Sequence, residues 1–299
     1  MIKRFLQIRY AILKISIMVE QINQNLPLVS VIIPTYNRAS WLKGAIDSVL
    51  NQTFSNFELL IVDDGSTDNT KELVDSYGDK IKYIFQPNQG PAAARNSGIK
   101  NRQVELISFL DSDDRWLKDK LQTQVNLMTA DPSIKICYTD EIWIRRGKRV
   151  NPKKIHQKYS GWIYQQCLPL CIISPSSVII HREVFEKVGL FDESLLVCED
   201  YDLWLRVSHH YPIAFINKPL IIKNGGHEDQ LSQRLWGMDR FRVKALEKML
   251  QENSLSPEDR KATIAMLHQK CTILANGCFK RSKTAEGNYY VSINEKYCC

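Results

Sequence analysis

Leu106 to Asp114 reads Leu-Ile-Ser-Phe-Leu-Asp-Ser-Asp-Asp, so an apolar run ends in three carboxylates, Asp111, Asp113 and Asp114. Like charges this close are costly at a buried strand end unless a cation neutralises them, and hard oxygen donors select Mg²⁺ or Mn²⁺. Asp111 and Asp113 lie two apart on an extended segment, so both can turn toward one ion. A second acid-rich turn, Asp63-Asp64-Gly65-Ser66, follows the apolar run Phe57 to Val62. A third acidic stretch, Cys198-Glu199-Asp200-Tyr201-Asp202-Leu203-Trp204, sets the carboxylates Glu199 and Asp200 side by side. His227 lies in the glycine-hinged stretch Asn224 to Ser232.

Strands alternating with helices must position these groups. Val29–Ile33, Phe57–Val62, Ile81–Phe85 and Glu105–Leu110 read as strands. Between them the spacing predicts a helix capped by Ser40, then helices over Asn69–Tyr77 and Pro91–Lys100. Such alternation predicts an α/β fold with a mostly parallel central sheet flanked by helices, its acid-rich loops gathered on the carboxyl edge where ligands bind. A helix over Lys118–Ala130 and a strand over Ile134–Tyr138 follow. Thr139 to Pro175 reads as less regular. Beyond it come a strand at Ser177–Ile180, a helix at Glu183–Val188, a helix near Asp200, with Asp200 as a candidate cap, and strands at Ile213–Ile216 and Leu220–Ile222. After Trp236 the pattern is helical: Met238–Leu250, a helix started by Ser256-Pro257-Glu258-Asp259, and a tail from Thr284 to Tyr297. The expected organisation is an extension over 1–27, a domain over 28–236 with halves 28–115 and 116–236, and a helical extension over 237–299.

In order, Val29–Arg38, Glu58–Thr70, Asn88–Ile99 and Ile107–Asp114 resemble the blocks of the family 2 glycosyltransferases, and the resemblance spans roughly Leu28 to Ser232. It implies the GT-A fold and a metal-dependent, inverting transfer of one sugar from a nucleotide-diphospho-sugar to an acceptor hydroxyl. The acceptor would be a saccharide, a lipid-linked saccharide or a protein in cell-envelope polysaccharide, lipopolysaccharide or glycoconjugate synthesis. By the same resemblance Pro34, Thr35, Tyr36, Asn37, Asp63, Asp64, Arg95, Asp111 and Ser112 bind the nucleotide-sugar. Asp111, Asp113 and His227 hold Mg²⁺ or Mn²⁺, and Asp200 or Glu199 is the base. The processive Gln-x-x-Arg-Trp motif is broken, because Leu235 separates Arg234 from Trp236. Two rival readings are a non-catalytic sugar-nucleotide-binding protein and a sugar nucleotidyltransferase. The second expects a Gly-rich N-terminal loop, and Val29–Arg38 holds no glycine.

A formal charge of +7 over 299 residues points to acidic partners. Helix-turn-helix, zinc-finger and RNA-recognition motifs are missing, which argues against nucleic acid. Arg145, Arg146, Lys148, Arg149, Lys153 and Lys154 crowd around Gly147 and Pro152, a hairpin or loop whose charges are either solvated or in contact with an anion. Eight cysteines show no zinc spacing, so free thiols in a reducing cytoplasm are expected. Residues 1–17 mix apolar and basic side chains without the roughly 20-residue apolar run of a membrane span. They read either as an amphipathic helix on the inner membrane face or as an extension before a start at Met18.

Overall fold

The computed structural model describes residues 27–226, 237–252 and 254–297. Residues 1–17 and His227, both given readings above, lie outside that set. Among the described residues nine strands form one sheet: β1 (Val29–Thr35), β2 (Phe57–Asp63), β3 (Lys82–Phe85), β4 (Leu106–Phe109), β5 (Arg115–Trp116), β6 (Ile136–Arg145), β7 (Lys148–Val150), β8 (Val178–His181) and β9 (Ala214–Gly225). Their spatial order is β3-β2-β1-β4-β8-β6-β9-β5, with β7 paired to β6.

β1 is buried along its whole length, and its side chains divide between two cores by strand alternation. Val29, Val31 and Ile33 join Leu59 and Ile61 of β2 and the buried face of α1 (Ala39–Leu50), namely Leu42, Ala45, Ile46 and Val49. Ile32 faces the other way, toward Leu60, Val62, Ile107 and Phe109, and toward Ala94 of α3 (Pro91–Lys100). Strands covered on both faces read as continuous apolar runs, which is why this half of the sheet was legible as parallel. β1 pairs in parallel with β2 and β4, and β2 with β3, whereas β8 runs antiparallel to both β4 and β6. Thr35 lies opposite Asp63, and the Leu110 amide donates to the Ile32 carbonyl. The acidic loops therefore leave the sheet from one edge.

Several elements differ from expectation. Ser40 does not cap α1: the helix begins at Ala39, whose amide donates to Asp68 Oδ2 at 3.0 Å, across from the loop after β2. β6 continues through Thr139 to Arg145, because β9 pairs with it as far as Gly225 and Arg146-Gly147, with φ of +48° and +73°, turns the chain into β7. That order replaces part of the stretch read as irregular. The two strands expected at Ile213–Ile216 and Leu220–Ile222 are one strand, β9, whose register shifts opposite Thr139 to Glu141. Pro219 sits at this irregularity, where a missing amide costs no ladder bond.

Three shorter helices, α2 (Thr70–Asp75), α5 (Tyr164–Cys167) and α6 (Arg182–Val188), accompany α4 (Lys120–Ala130) and α7 (Glu199–His210). Asp200 is not the cap of α7. Cys198 holds that position with φ +64°. Beyond residue 236 lie α8 (Asp239–Gln251), α9 (Pro257–Phe279) and α10 (Thr284–Lys296). Ser256 Oγ accepts the Asp259 amide at the start of α9, as its Ser-Pro-Glu-Asp sequence predicts. Leu246 and Met249 of α8 and Leu267, Cys271 and Leu274 of α9 share one apolar core with Leu203, Trp204 and Val207 of α7. Lys248 of α8 adds an ion pair to Asp202 of α7 at 3.1 Å. The six described cysteines are free thiols.

α3 lies so close to β1 that a Cβ on Gly98 meets Ile32 Cγ2 at 2.6 Å. Gly98→Ala is therefore expected to lower stability by about 1–3 kcal/mol in urea unfolding. Combining it with Ile32→Ala should cost less than the sum of the single changes, because the two share one contact.

Candidate active site

The loops after β1 and β2 are stitched together. Asn37, at φ +51°, donates its amide to Ser66 Oγ at 2.8 Å and accepts the Thr67 amide on Oδ1 at 2.7 Å. The Asp64 amide donates to the Thr35 carbonyl, and Pro34 and Thr35 are buried whereas Tyr36 is 45% exposed. Asp63 is buried, its Oδ1 accepting the Ser66 amide and its Oδ2 the Tyr83 hydroxyl at 2.6 Å. Asp64 accepts from the Gln86 side chain on Oδ1 and from the Gly90 amide on Oδ2, both at 2.7 Å. Its carboxylate thus fixes the loop that delivers α3.

Arg95 projects from α3 into the gap between two acidic segments. Its Nη2 donates to Asp111 Oδ1 at 2.7 Å and its Nη1 to Glu199 Oε1 at 2.6 Å, while the guanidinium lies 5.3 Å from the Phe191 ring centre. Asp113 pairs with Arg38 at 2.9 Å, and Ser112 is buried between the two aspartates. Asp114 turns inward, where Ser176 Oγ donates to its Oδ2 at 2.7 Å and the Asn224 amide to its Oδ1 at 3.0 Å. Ser176 Oγ also accepts the Asp111 amide, and the Asn224 side chain donates to the Asp113 carbonyl. Arg38, Ser176, Lys223 and Asn224 complete the site without having been assigned roles from sequence. Arg38 had a signal, closing the first matching block, but Lys223 had none until β9 placed it.

Electrostatics follow from this packing. Burial pushes the Asp111 carboxyl up, but Arg95 and then Lys223 outweigh it and hold the group below the ordinary carboxylate value. Asp114 goes the other way: burial raises it well above that value, Asp113 and Asp111 add to the rise, and Lys223 only partly offsets them. Burial disfavours the charged Lys223, yet Glu141, Asp114 and Asp111 more than compensate and keep it protonated. Glu199 is pushed up to about 7, first by burial and also by Asp200, against the pull of Arg95.

Asp200 is placed differently from Glu199. It borders a recess of about 150 Å³, where its Oδ2 accepts from Cys171 Sγ at 3.2 Å and its Oδ1 from the Tyr201 amide at 2.7 Å. Burial and the neighbouring Asp200 push the Cys171 thiol well up, so it stays protonated as a donor. Glu141, Trp143, Lys158 and Lys223 line the same recess.

Among the described residues no group of three or more His, Cys, Asp or Glu side chains converges as a metal site. Asp111 and Asp113 are nevertheless the donor chemistry that Mg²⁺ or Mn²⁺ takes when substrate phosphates complete the coordination, one or two carboxylates being usual. Without such an ion, Arg38 and Arg95 neutralise the pair. No described helix is long and apolar enough to cross a membrane.

The family profile described as "Glycosyl transferase family 2" matches residues 30–189. An uncharacterized glycosyltransferase of Rickettsia typhi is 40% identical over 212 residues, covering 68% of this chain and 65% of that protein. A Rickettsia felis relative is 37% identical over 70% of this chain, which spans 36% of it. The chain thus covers less than two thirds of these relatives. The Escherichia coli UDP-Glc:alpha-D-GlcNAc-diphosphoundecaprenol beta-1,3-glucosyltransferase WfgD is 36% identical over 196 residues, covering 64% of this chain and 73% of WfgD. Among solved structures, S. aureus TarS 1–349 with UDP-GlcNAc aligns with a TM-score of 0.65 at 18% identity, over 90% of this chain and 91% of that one. The Pyrobaculum calidifontis mannosyltransferase PcManGT with GDP-Man and Mn²⁺ aligns at 0.60 and 16%, over 92% and 88%. The fold is thus the GT-A arrangement.

Removing Arg95 strands the buried Glu199 carboxyl and the partly exposed Asp111 one, so Arg95→Met is expected to cost about 3 kcal/mol in chemical denaturation. Glu199 gives a pH signature. Its carboxyl titrates at about 7 in the fold against an ordinary 4.5, so the folded chain holds that proton more tightly. The resulting stabilisation is complete below 4.5 and lost as pH rises through about 7. Glu199→Gln should therefore flatten the fall of Tm between about pH 5 and about pH 8, and an unchanged slope would contradict the assignment.

Proposed function

This chain belongs to glycosyl transferase family 2, and from that premise we propose a metal-dependent, inverting transfer of a single sugar from a nucleotide-diphospho-sugar to an acceptor hydroxyl. Cell-surface glycan synthesis is the proposed setting, supported by the similarity to WfgD, whose name specifies a diphosphoundecaprenol-linked saccharide. The donor class is supported by neighbours holding UDP-GlcNAc and GDP-Man.

The loops at Pro34–Asn37 and Asp63–Ser66 shape the nucleotide side, where Asp63 and Asp64 are already held rigid by protein donors. When bound, Mg²⁺ or Mn²⁺ on Asp111 and Asp113, with His227 as the further ligand that the sequence suggests, supplies Lewis-acid stabilisation of the departing diphosphate. Arg95 is a positioning residue: both of its terminal nitrogens are bonded to protein carboxylates, so it fixes Asp111 and Glu199 relative to each other. Asp200 is the base. It accepts the proton of the acceptor hydroxyl while the oxygen attacks the anomeric carbon from the face opposite the leaving diphosphate, which inverts the configuration.

One observation supports this assignment above the others: of the adjacent acids, Glu199 is bonded to Arg95, whereas Asp200 borders the recess with only a thiol and its neighbour's amide on its oxygens. Asp200→Asn is expected to keep donor binding and lose about 10²–10⁴-fold in turnover, measured as nucleotide release with acceptor present. Turnover near wild type overturns the base. Asp113→Ala should remove the metal dependence of donor binding, read by titration with and without Mn²⁺.

A further inference from the structure

Arg145 at the base of the basic β6–β7 hairpin lines the recess beside Asp200, and we propose that the recess receives an acceptor carrying a phosphate or diphosphate group next to its sugar, gripped by that hairpin. This deepens the transferase reading and rests on it. At about 150 Å³ the recess is below the roughly 300 Å³ at the small end of ligand pockets, so it holds one ring or one phosphate group at a time. Glu141 lies at its wall with a side chain only 5% exposed. Its Oε1 accepts from Trp143 Nε1 at 2.8 Å and pairs with Lys158 at 3.3 Å, while its buried Oε2 has no partner, an acceptor suited to a sugar hydroxyl. Trp143 lines the same space, its ring 4.8 Å from that of His156 and 5.5 Å from the Arg145 guanidinium.

The rim is positive and rigid. Arg145, Arg146, Lys148 and Arg149 stand on the hairpin, with Lys153 and Lys154 just after it, all exposed. Among the described residues none of the six has a carboxylate partner. The two-residue turn has both φ values positive, the geometry that matches strand twist, and the Arg146 amide donates to the Gly225 carbonyl. The arm is therefore fixed to the end of β9, next to Asn224, which contacts Asp113 and Asp114. The Arg145 guanidinium, which lines the recess together with Asp200 and has no carboxylate partner among the described residues, is matched by phosphate oxygens, which guanidinium groups bind bidentately.

The test uses the full chain and two synthetic probes, an alkyl N-acetylglucosaminide and the same sugar as an alkyl diphosphate, with binding measured by Trp fluorescence and donor hydrolysis followed in parallel. The diphosphate is expected to bind about tenfold or more tightly than the neutral glycoside, a preference that Arg145→Gln abolishes. Equal affinities, or binding of neither probe, overturns the proposal. So does a hairpin-dependent affinity for phosphatidylglycerol vesicles without preference for the soluble diphosphate, which assigns the arm to a bilayer. If donor hydrolysis persists in any of these cases, the transferase reading stands alone; if no nucleotide-sugar is bound at all, that reading fails as well.

Discussion

The Arg95 guanidinium, donating to Asp111 on one side and Glu199 on the other, is the interaction on which the site depends. It joins a residue just past β4 to the first turn of α7, 88 positions later in the chain. The arginine and Glu199 are removed from water while Asp111 stays partly exposed, so the Glu199 side of the bridge is the costlier one to break. Asp64, by holding the loop before α3, sets where the arginine stands. Asp202 and Lys248 anchor α7 from the other side, to a helix beyond residue 236. The C-terminal helices thus support the acidic turn through packing and one ion pair.

A dense set of acids is held together here by the chain's own cations. Arg38, Arg95 and Lys223 oppose Asp111, Asp113, Asp114 and Glu141, and the balance sorts the carboxyls: Asp111 is kept ionised while Asp114 is driven toward its neutral form. The cation that neighbouring aspartates require need not be a metal in the free protein, since arginine and lysine side chains meet the requirement. Asp114 is better described as part of the frame, bonded to Ser176 and to the backbone of β9.

Much of the first half was legible because parallel strands buried on both faces leave unbroken apolar runs, and the acids at their ends stand out against them. What escaped depended on distant partners. Ser40 has the right chemistry for a cap, but Asp68 from another loop reaches the helix start first. Ile213–Ile216 and Leu220–Ile222 read as two strands, and only the pairing with β6 shows that β9 continues through an irregularity at Pro219. Which of the adjacent Glu199 and Asp200 meets Arg95 depends on a contact 104 positions away in the chain, and the fold shows it to be Glu199.

The central claim is that the edge carrying Asp63, Asp111 and Asp113 binds a nucleotide-diphospho-sugar together with a divalent ion. The most direct test is thermal unfolding of the chain against a panel of UDP-, GDP-, CMP- and dTDP-sugars, with and without Mn²⁺. The account predicts that at least one nucleotide-diphospho-sugar raises Tm, and does so substantially more when Mn²⁺ is present. A panel in which none stabilises the protein in a metal-dependent way would contradict it.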